Sequence, residues 1–226
     1  MLAGRTTDST GRRHERRECL FFEVKVASLS NGSQAGYIII GEMESLVGRE
    51  PQKQSCVVKA PAIRNEPAAN GTIFLGGSIS KNGTGNWRQF LVESSSLSGK
   101  GVVFYDPSRD DWDHTWKEDM SDERWVQQVD WEGDRITESE VIVFYFGAAT
   151  DAPITLLEFG TVLGTSKRHQ TVVCVDPAYS KAGYVELHCM RQGVTFVDDV
   201  EQLPRLVSKK LGRVLAGAQE RRGERT

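Results

Sequence analysis

Glu158 closes a stretch whose residue types change in a chemically telling order. Val141–Phe146 is an unbroken apolar run, VIVFYF. Gly147–Pro153, GAATDAP, is a turn-rich loop. From Ile154 the chain reads as a helix with one carboxylate, Glu158, between Leu157 and Phe159. Strand, loop, helix start and acid in that order is how open α/β sheets place a reactive group outside the carboxyl end of a strand. An acid so placed can serve as nucleophile or as proton donor and acceptor. The other option is a helix-surface acid favoured by the N-terminal dipole, and the flanking residues do not decide between them.

Further groups could line the same crevice. The apolar run Thr72–Leu75 ends in Gly76-Gly77-Ser78, which lets backbone approach a ligand and offers amide and hydroxyl donors. A glycine turn needed for packing alone is the alternative. The turn is not GxGxxG, so nicotinamide dinucleotide binding is poorly supported. The loop DPSRDDWDHTW begins at Asp106 and holds Arg109 and Trp112, and all five tryptophans lie between Trp87 and Trp131. Aromatic faces beside acids and an arginine suit a flat heterocycle bearing a polar sugar; filling core beneath a long loop is the competing use. Trp125, sharing a helical face with Val129, is assigned to core. Trp112, beside Asp111 and Asp113, is assigned to the site. Gln128 and Glu132 are four residues apart and share a face. Glu132 either meets a substrate hydroxyl or the surroundings of Glu158, or it is a solvated helix position. GxSxG and Walker patterns are absent, and no histidine forms a recognisable pair with a Ser or Cys.

The elements that would position these groups alternate. Strands are expected at Thr72–Ile79, Gly101–Pro107, Val141–Phe146 and Gln170–Pro177, with a short one at Thr195–Asp199. Helices are expected at Asn86–Leu97, with Trp87, Phe90 and Leu91 at helical spacing; at Glu123–Ser139, with Trp125, Val129 and Ile136 on one side; from Ile154; at Val185–Gly193; and from Val200 to Ala218. Apolar strands alternating with helices imply a parallel sheet covered on both faces, a doubly wound α/β sandwich of Rossmann-like, flavodoxin-like type. That domain is drawn from 56 to 215, between an N-terminal extension (1–55) and a polar tail (216–226). Leu20–Ala27 and Tyr37–Met43 are strand candidates in the extension. Ser55–Ala62 is a third, grouped with a turn-rich appendage over 20–68.

Hydrophobic residues make up 38% of the 226, charged residues 26%, and the net charge is −3. That balance gives no general electrostatic reason to bind nucleic acid polymers or anionic membranes, and no apolar run approaches the roughly 20 residues of a membrane helix. Arg5, Arg12, Arg13, Arg16 and Arg17 partly resemble a transit peptide, but Asp8, Glu15 and Glu18 count against one; a basic disordered tail is expected. Cys19, Cys56, Cys174 and Cys189 match no zinc spacing, so reduced thiols in a cytoplasmic protein are expected.

The blocks IFLGGSI, NWR, DPSRDDWD, QVDWE, VIVFYF and PITLLEFG, in that order, resemble the nucleoside 2-deoxyribosyltransferase superfamily, and within it the transferase-like branch. The resemblance covers about Val57 to Val197. It implies that Glu158 is the nucleophile, attacking the anomeric carbon of a nucleoside or nucleotide and releasing the base through a covalent glycosyl-enzyme. Thr155, Glu158 and Gly160 match the last part of the family's D-S-G-T-x-x-E-x-G pattern. It implies that Glu132 is the acid/base or hydroxyl anchor, and that Gly76, Gly77, Ser78, Asp106, Arg109, Trp112, Asp151 and Thr155 line the substrate. No metal or organic cofactor is needed by a carboxylate pair. A homo-oligomer is compatible with the family. The sequence departs from it at Ala152, where an acid is expected, with Asp151 adjacent; at Gly76, where Ala is usual; and in Lys181–Val185, where an Asn is missing. The alternative function is a non-catalytic nucleotide-binding or sensing module of the same fold.

Overall fold

The computed structural model describes residues 54–64, 70–78 and 86–223. The strand candidates Leu20–Ala27 and Tyr37–Met43 lie outside the described residues. Among the described residues six strands form one all-parallel sheet in the order β1-β3-β2-β4-β5-β6: β1 Cys56–Lys59, β2 Thr72–Gly77, β3 Val103–Asp106, β4 Val141–Phe146, β5 Thr171–Val175 and β6 Thr195–Val197. The helices between them are α1 Trp87–Glu93, α2 Glu123–Glu138, α3 Pro153–Leu163 and α4 Ala182–Gln192, and α5 Leu203–Gly223 closes the chain. Setting β1 aside, the order is that of a flavodoxin-like sheet, whose switch point lies between the first strand, β2, and its neighbour β4. The doubly wound α/β expectation is therefore met.

Two apolar layers sandwich the sheet. One joins Trp131 of α2, Phe159 and Val162 of α3, and Val185 and Cys189 of α4 to Phe74, Phe144 and Phe146. The other joins Trp87 and Leu91 of α1 and Leu203, Val207 and Leu211 of α5 to Leu75, Val143 and Tyr145. All six residues of β4 are buried. That is why the central strand reads as continuous apolar sequence with no alternation, and each such side chain contributes about 1.5–3 kcal/mol by leaving water.

The structure corrects several sequence expectations. Cys56–Lys59, grouped by its turn-rich flanks with the appendage, is an integral edge strand paired in parallel with β3. On α1 the buried residues are Trp87, Arg88 and Leu91, while Phe90 is 45% exposed. On α2 they are Gln128, Trp131 and Arg135, while Val129 points outward and Trp125 is only half-buried. In both helices polar side chains occupy positions that apolar periodicity gives to hydrophobic ones. The closing helix runs on to Gly223, through much of the segment expected as a polar tail.

Candidate active site at the carboxyl edge of the sheet

The floor of the site is the β2–β4 junction. Gly77 stands opposite Tyr145 at φ +132, and a Cβ there would lie 2.4 Å from the Tyr145 carbonyl oxygen; only glycine permits this strand end. At Gly76 a Cβ would meet the Phe144 ring at 2.7 Å. Both glycines are thus required by packing. Ser78 is buried and tied at three atoms. Its amide donates to the Tyr145 carbonyl at 2.9 Å, its hydroxyl accepts from the Gly147 amide at 3.2 Å, and its carbonyl accepts from Trp87 Nε1 at 3.1 Å. Trp87 in turn stacks on Tyr145 with ring centroids 5.3 Å apart.

Arg88, which sequence reasoning missed, organises the charges on this floor. Asn86 caps α1, and the first turn directs Arg88 inward, 7% exposed. Its Nε donates to the Leu75 carbonyl at 3.2 Å and its Nη2 to the Gly77 carbonyl at 2.9 Å. Nε also lies 3.3 Å from Asp106 Oδ1 at the end of β3. Burial opposes the guanidinium charge, and Asp106, Glu158 and Glu132 together support it. A cation this far from water needs such partners; three carboxylates gathered around it answer that need.

Glu158 on α3 and Glu132 on α2 act on this guanidinium through their charge. On α3, Thr155 and Phe159 are buried and Glu158 is half-buried beside them, while Ile154 and Leu157 are exposed. Glu158 is therefore turned toward the core side of its helix, away from the helix surface. Burial first and the nearby Glu132 second push its carboxyl up to about 8, against the opposing charge of Arg88. Glu132 is also raised, chiefly by burial. Its hydrogen bond from Gln128 and the Arg88 charge act in the other direction. Gln128 Nε2 donates to Glu132 Oε1 at 2.8 Å and to the Pro107 carbonyl at 2.7 Å. Two raised, mutually repelling carboxyls titrate as a pair, and such pairs concentrate at functional sites.

The remaining sequence candidates lie around this core. Asp106 is buried and joins it directly. Thr155 is buried one helical turn before Glu158. Asp151 is exposed and turned toward α4, with Lys181 Nζ 3.0 Å from its Oδ1 and the Ser180 hydroxyl at 3.2 Å. Ala152 caps α3 in the left-handed region at φ 45, where an alanine is strained. Arg109 staples the loop after β3: it grips Asp111 through Nε (2.8 Å) and Nη2 (2.7 Å) and lies over the Trp116 ring at 4.6 Å. Trp112 is 48% exposed and packs against Trp116 with centroids 4.6 Å apart. Among the described residues no cluster of His, Cys, Asp and Glu could hold a metal ion, and no helix is long and apolar enough to cross a membrane.

A half-buried carboxyl pair near the switch point of a flavodoxin-like sheet stands beside one further finding. Residues 70–179 match the family described as nucleoside 2-deoxyribosyltransferase like. The match takes in just under half of the chain. It spans β2 to the turn after β5 and contains Arg88, Asp106, Glu132 and Glu158, so the whole carboxylate cluster lies inside the matched segment. No curated protein matches the chain.

Proposed function

We propose that this domain cleaves or transfers the N-glycosidic bond of a nucleoside or nucleotide through a covalent glycosyl–Glu158 intermediate. The observation that carries the reading is the Glu158–Glu132 pair, raised together by burial and held beside Arg88. Such a pair retains a proton at neutral pH, so one member can supply an acid while the other is an ionised nucleophile.

In the first step the proton that Glu158 holds at neutral pH passes to Glu132, and the Glu158 carboxylate so formed bonds through an oxygen to C1′. The C1′–N bond breaks and its electron pair goes to the base nitrogen, which takes the proton held on Glu132. In the second step water or another base attacks C1′, the ester bond to Glu158 breaks, and Glu132 receives the proton of the attacking group. This is the two-carboxylate logic of retaining glycosidases applied to a C–N bond. The floor at Gly76, Gly77 and Ser78 receives the sugar. Asp106, Thr155 and Asp151 supply polar contacts around it, and Arg109 supports the loop that offers Trp112 to the base. The partner is a small nucleoside or nucleotide rather than a nucleic acid polymer or a membrane, in a cytoplasmic setting that suits the free thiols Cys56, Cys174 and Cys189. Activity falls above about pH 8, where the pair loses its last proton.

The test is incubation with a panel of nucleosides and nucleoside monophosphates, following free base by chromatography, with Glu158→Gln and Glu158→Ala in parallel. Base release that drops about a thousandfold or more in both variants is expected. Release unchanged in both removes Glu158 as nucleophile. Retained binding with no release from any substrate moves the assignment to a nucleotide-binding module.

A further inference from the structure

Gln128 lies on α2 between Pro107, directly beyond the end of β3, and Glu132. It is 6% exposed. Its Nε2 donates to the Pro107 carbonyl and to Glu132 Oε1, so both amide hydrogens are used. Turning the amide over would set its oxygen against the Pro107 carbonyl, which can only accept; that neighbour therefore fixes which atom is which. The oxygen Oε1 is buried and has no donor among the described residues. A buried acceptor held rigidly without a donor among the described residues, on the same face of α2 as Glu132, is what a site built to meet a donor looks like before the donor arrives.

We infer that Gln128 selects the substrate by accepting, through Oε1, a hydrogen bond from a donor on the nucleoside, either a sugar hydroxyl or an N–H of the base. The inference rests on the function proposed above. Glu132 has a second part in it: by accepting one amide hydrogen it aims the glutamine oxygen, so the acid and the selecting group are set by one interaction. A nucleoside with the donor satisfies the oxygen. One lacking it leaves the acceptor unpaired and is rejected. Rejection is stronger than an apolar pocket of the same shape would give, because the penalty is a lost hydrogen bond rather than a lost methyl contact.

The experiment compares ligand pairs that differ by one donor, with binding measured by calorimetry and base release alongside. The pairs are a ribonucleoside and its 2′-deoxy form, the 2′-deoxy and 2′,3′-dideoxy forms, and adenosine and purine riboside. Each is tested on the wild type, Gln128→Met and Gln128→Leu, with thermal unfolding confirming that each variant is folded. The wild type is expected to prefer the donor-bearing member of one pair by about tenfold or more, and both variants to bring that pair within about twofold. Which pair responds distinguishes sugar hydroxyl from base N–H. A wild-type preference that survives in both variants, or a loss of equal size for every ligand, overturns the inference. So does binding of nucleosides by the wild type with no donor preference, which leaves the functional reading intact. Absence of binding by every nucleoside removes the functional reading and this inference together.

Discussion

The carboxylates around Arg88 and those of the loop after β3 are the same functional group put to opposite uses. Glu158 and Glu132 are raised because burial works against their charge. Asp111, Asp113 and Asp119 are exposed and Asp122 is half-buried, and all four are lowered, each first by a side-chain hydrogen bond from a close neighbour: Arg109, Thr115, Ser121 and Arg124. The loop acids stabilise turns. Asp119 accepts from the Ser121 amide at 2.7 Å, and Asp122 caps α2 by accepting from the Arg124 amide at 3.1 Å. Acid content alone therefore says little about where chemistry occurs; depth separates the two regions, since Glu132 also accepts a short side-chain hydrogen bond and is raised all the same.

Removing Arg88, a cation that these acids share, breaks the contrast most severely. Arg88→Met strands Asp106, Glu132 and Glu158 beside one another. Loss of a buried charge partner costs about 3–5 kcal/mol, read as a lower midpoint in urea unfolding. Because Arg88 holds both glutamates down, the alkaline limb of any residual activity moves to higher pH. An unshifted limb would separate Arg88 from the pair.

The pair's own titration gives a smaller effect of opposite sign. Glu158 in the fold titrates near 8, against 4.5 as its ordinary value, so the folded protein holds this proton more tightly than the unfolded chain. Stability is then lost as pH rises from about 4.5 to 8. The full shift corresponds to about 5 kcal/mol, which solvent screening at a half-buried site reduces to about 2 kcal/mol. Glu158→Gln is expected to be more stable than wild type by that amount at pH 9 and equal to it at pH 4. Equal stability at both pH values would mean that burial does not act on Glu158 as described.

Loop acids respond differently. Asp122→Ala removes the cap of α2 and is expected to lower the thermal midpoint by a few degrees, with the pH dependence of activity unchanged. Asp119→Asn, at the smallest end, keeps a side-chain acceptor for the Ser121 amide and is expected to leave both stability and base release within error of wild type. A loss of base release in Asp119→Asn would place chemistry in the loop.

The same two regions show what could be read from sequence. The strands were legible because a parallel sheet buried on both faces leaves uninterrupted apolar runs, as in Val141–Phe146. Glu158 was legible because it follows such a strand through a short loop. Its facing was not: that depended on which side of α3 packs, and Leu157 and Phe159 are both apolar. Phe159 is buried and Leu157 is 67% exposed, which turns Glu158 inward. Arg88 and Gln128 were missed as inward-facing residues for a single reason. Apolar periodicity searches for hydrophobic side chains, and these two polar ones take the buried face of α1 and α2 through hydrogen bonds to the backbone at strand ends. The signal available was the pattern Trp87-Arg88…Leu91, in which a charged residue sits beside the positions that must be buried. The place of β1 in the sheet was not legible because its pairing with β3 is non-local, and only register across 47 residues, Cys56 with Val103, makes it part of the sheet.

The central claim is that Glu158 becomes covalently bonded to the sugar. Rapid acid quench of the enzyme during turnover of a nucleoside, followed by peptide mass spectrometry, tests it directly. The account predicts the mass of the sugar added to the peptide that carries Glu158, and no such addition in Glu158→Gln. A sugar found on a different residue, or base release that continues undiminished in Glu158→Gln, would contradict it.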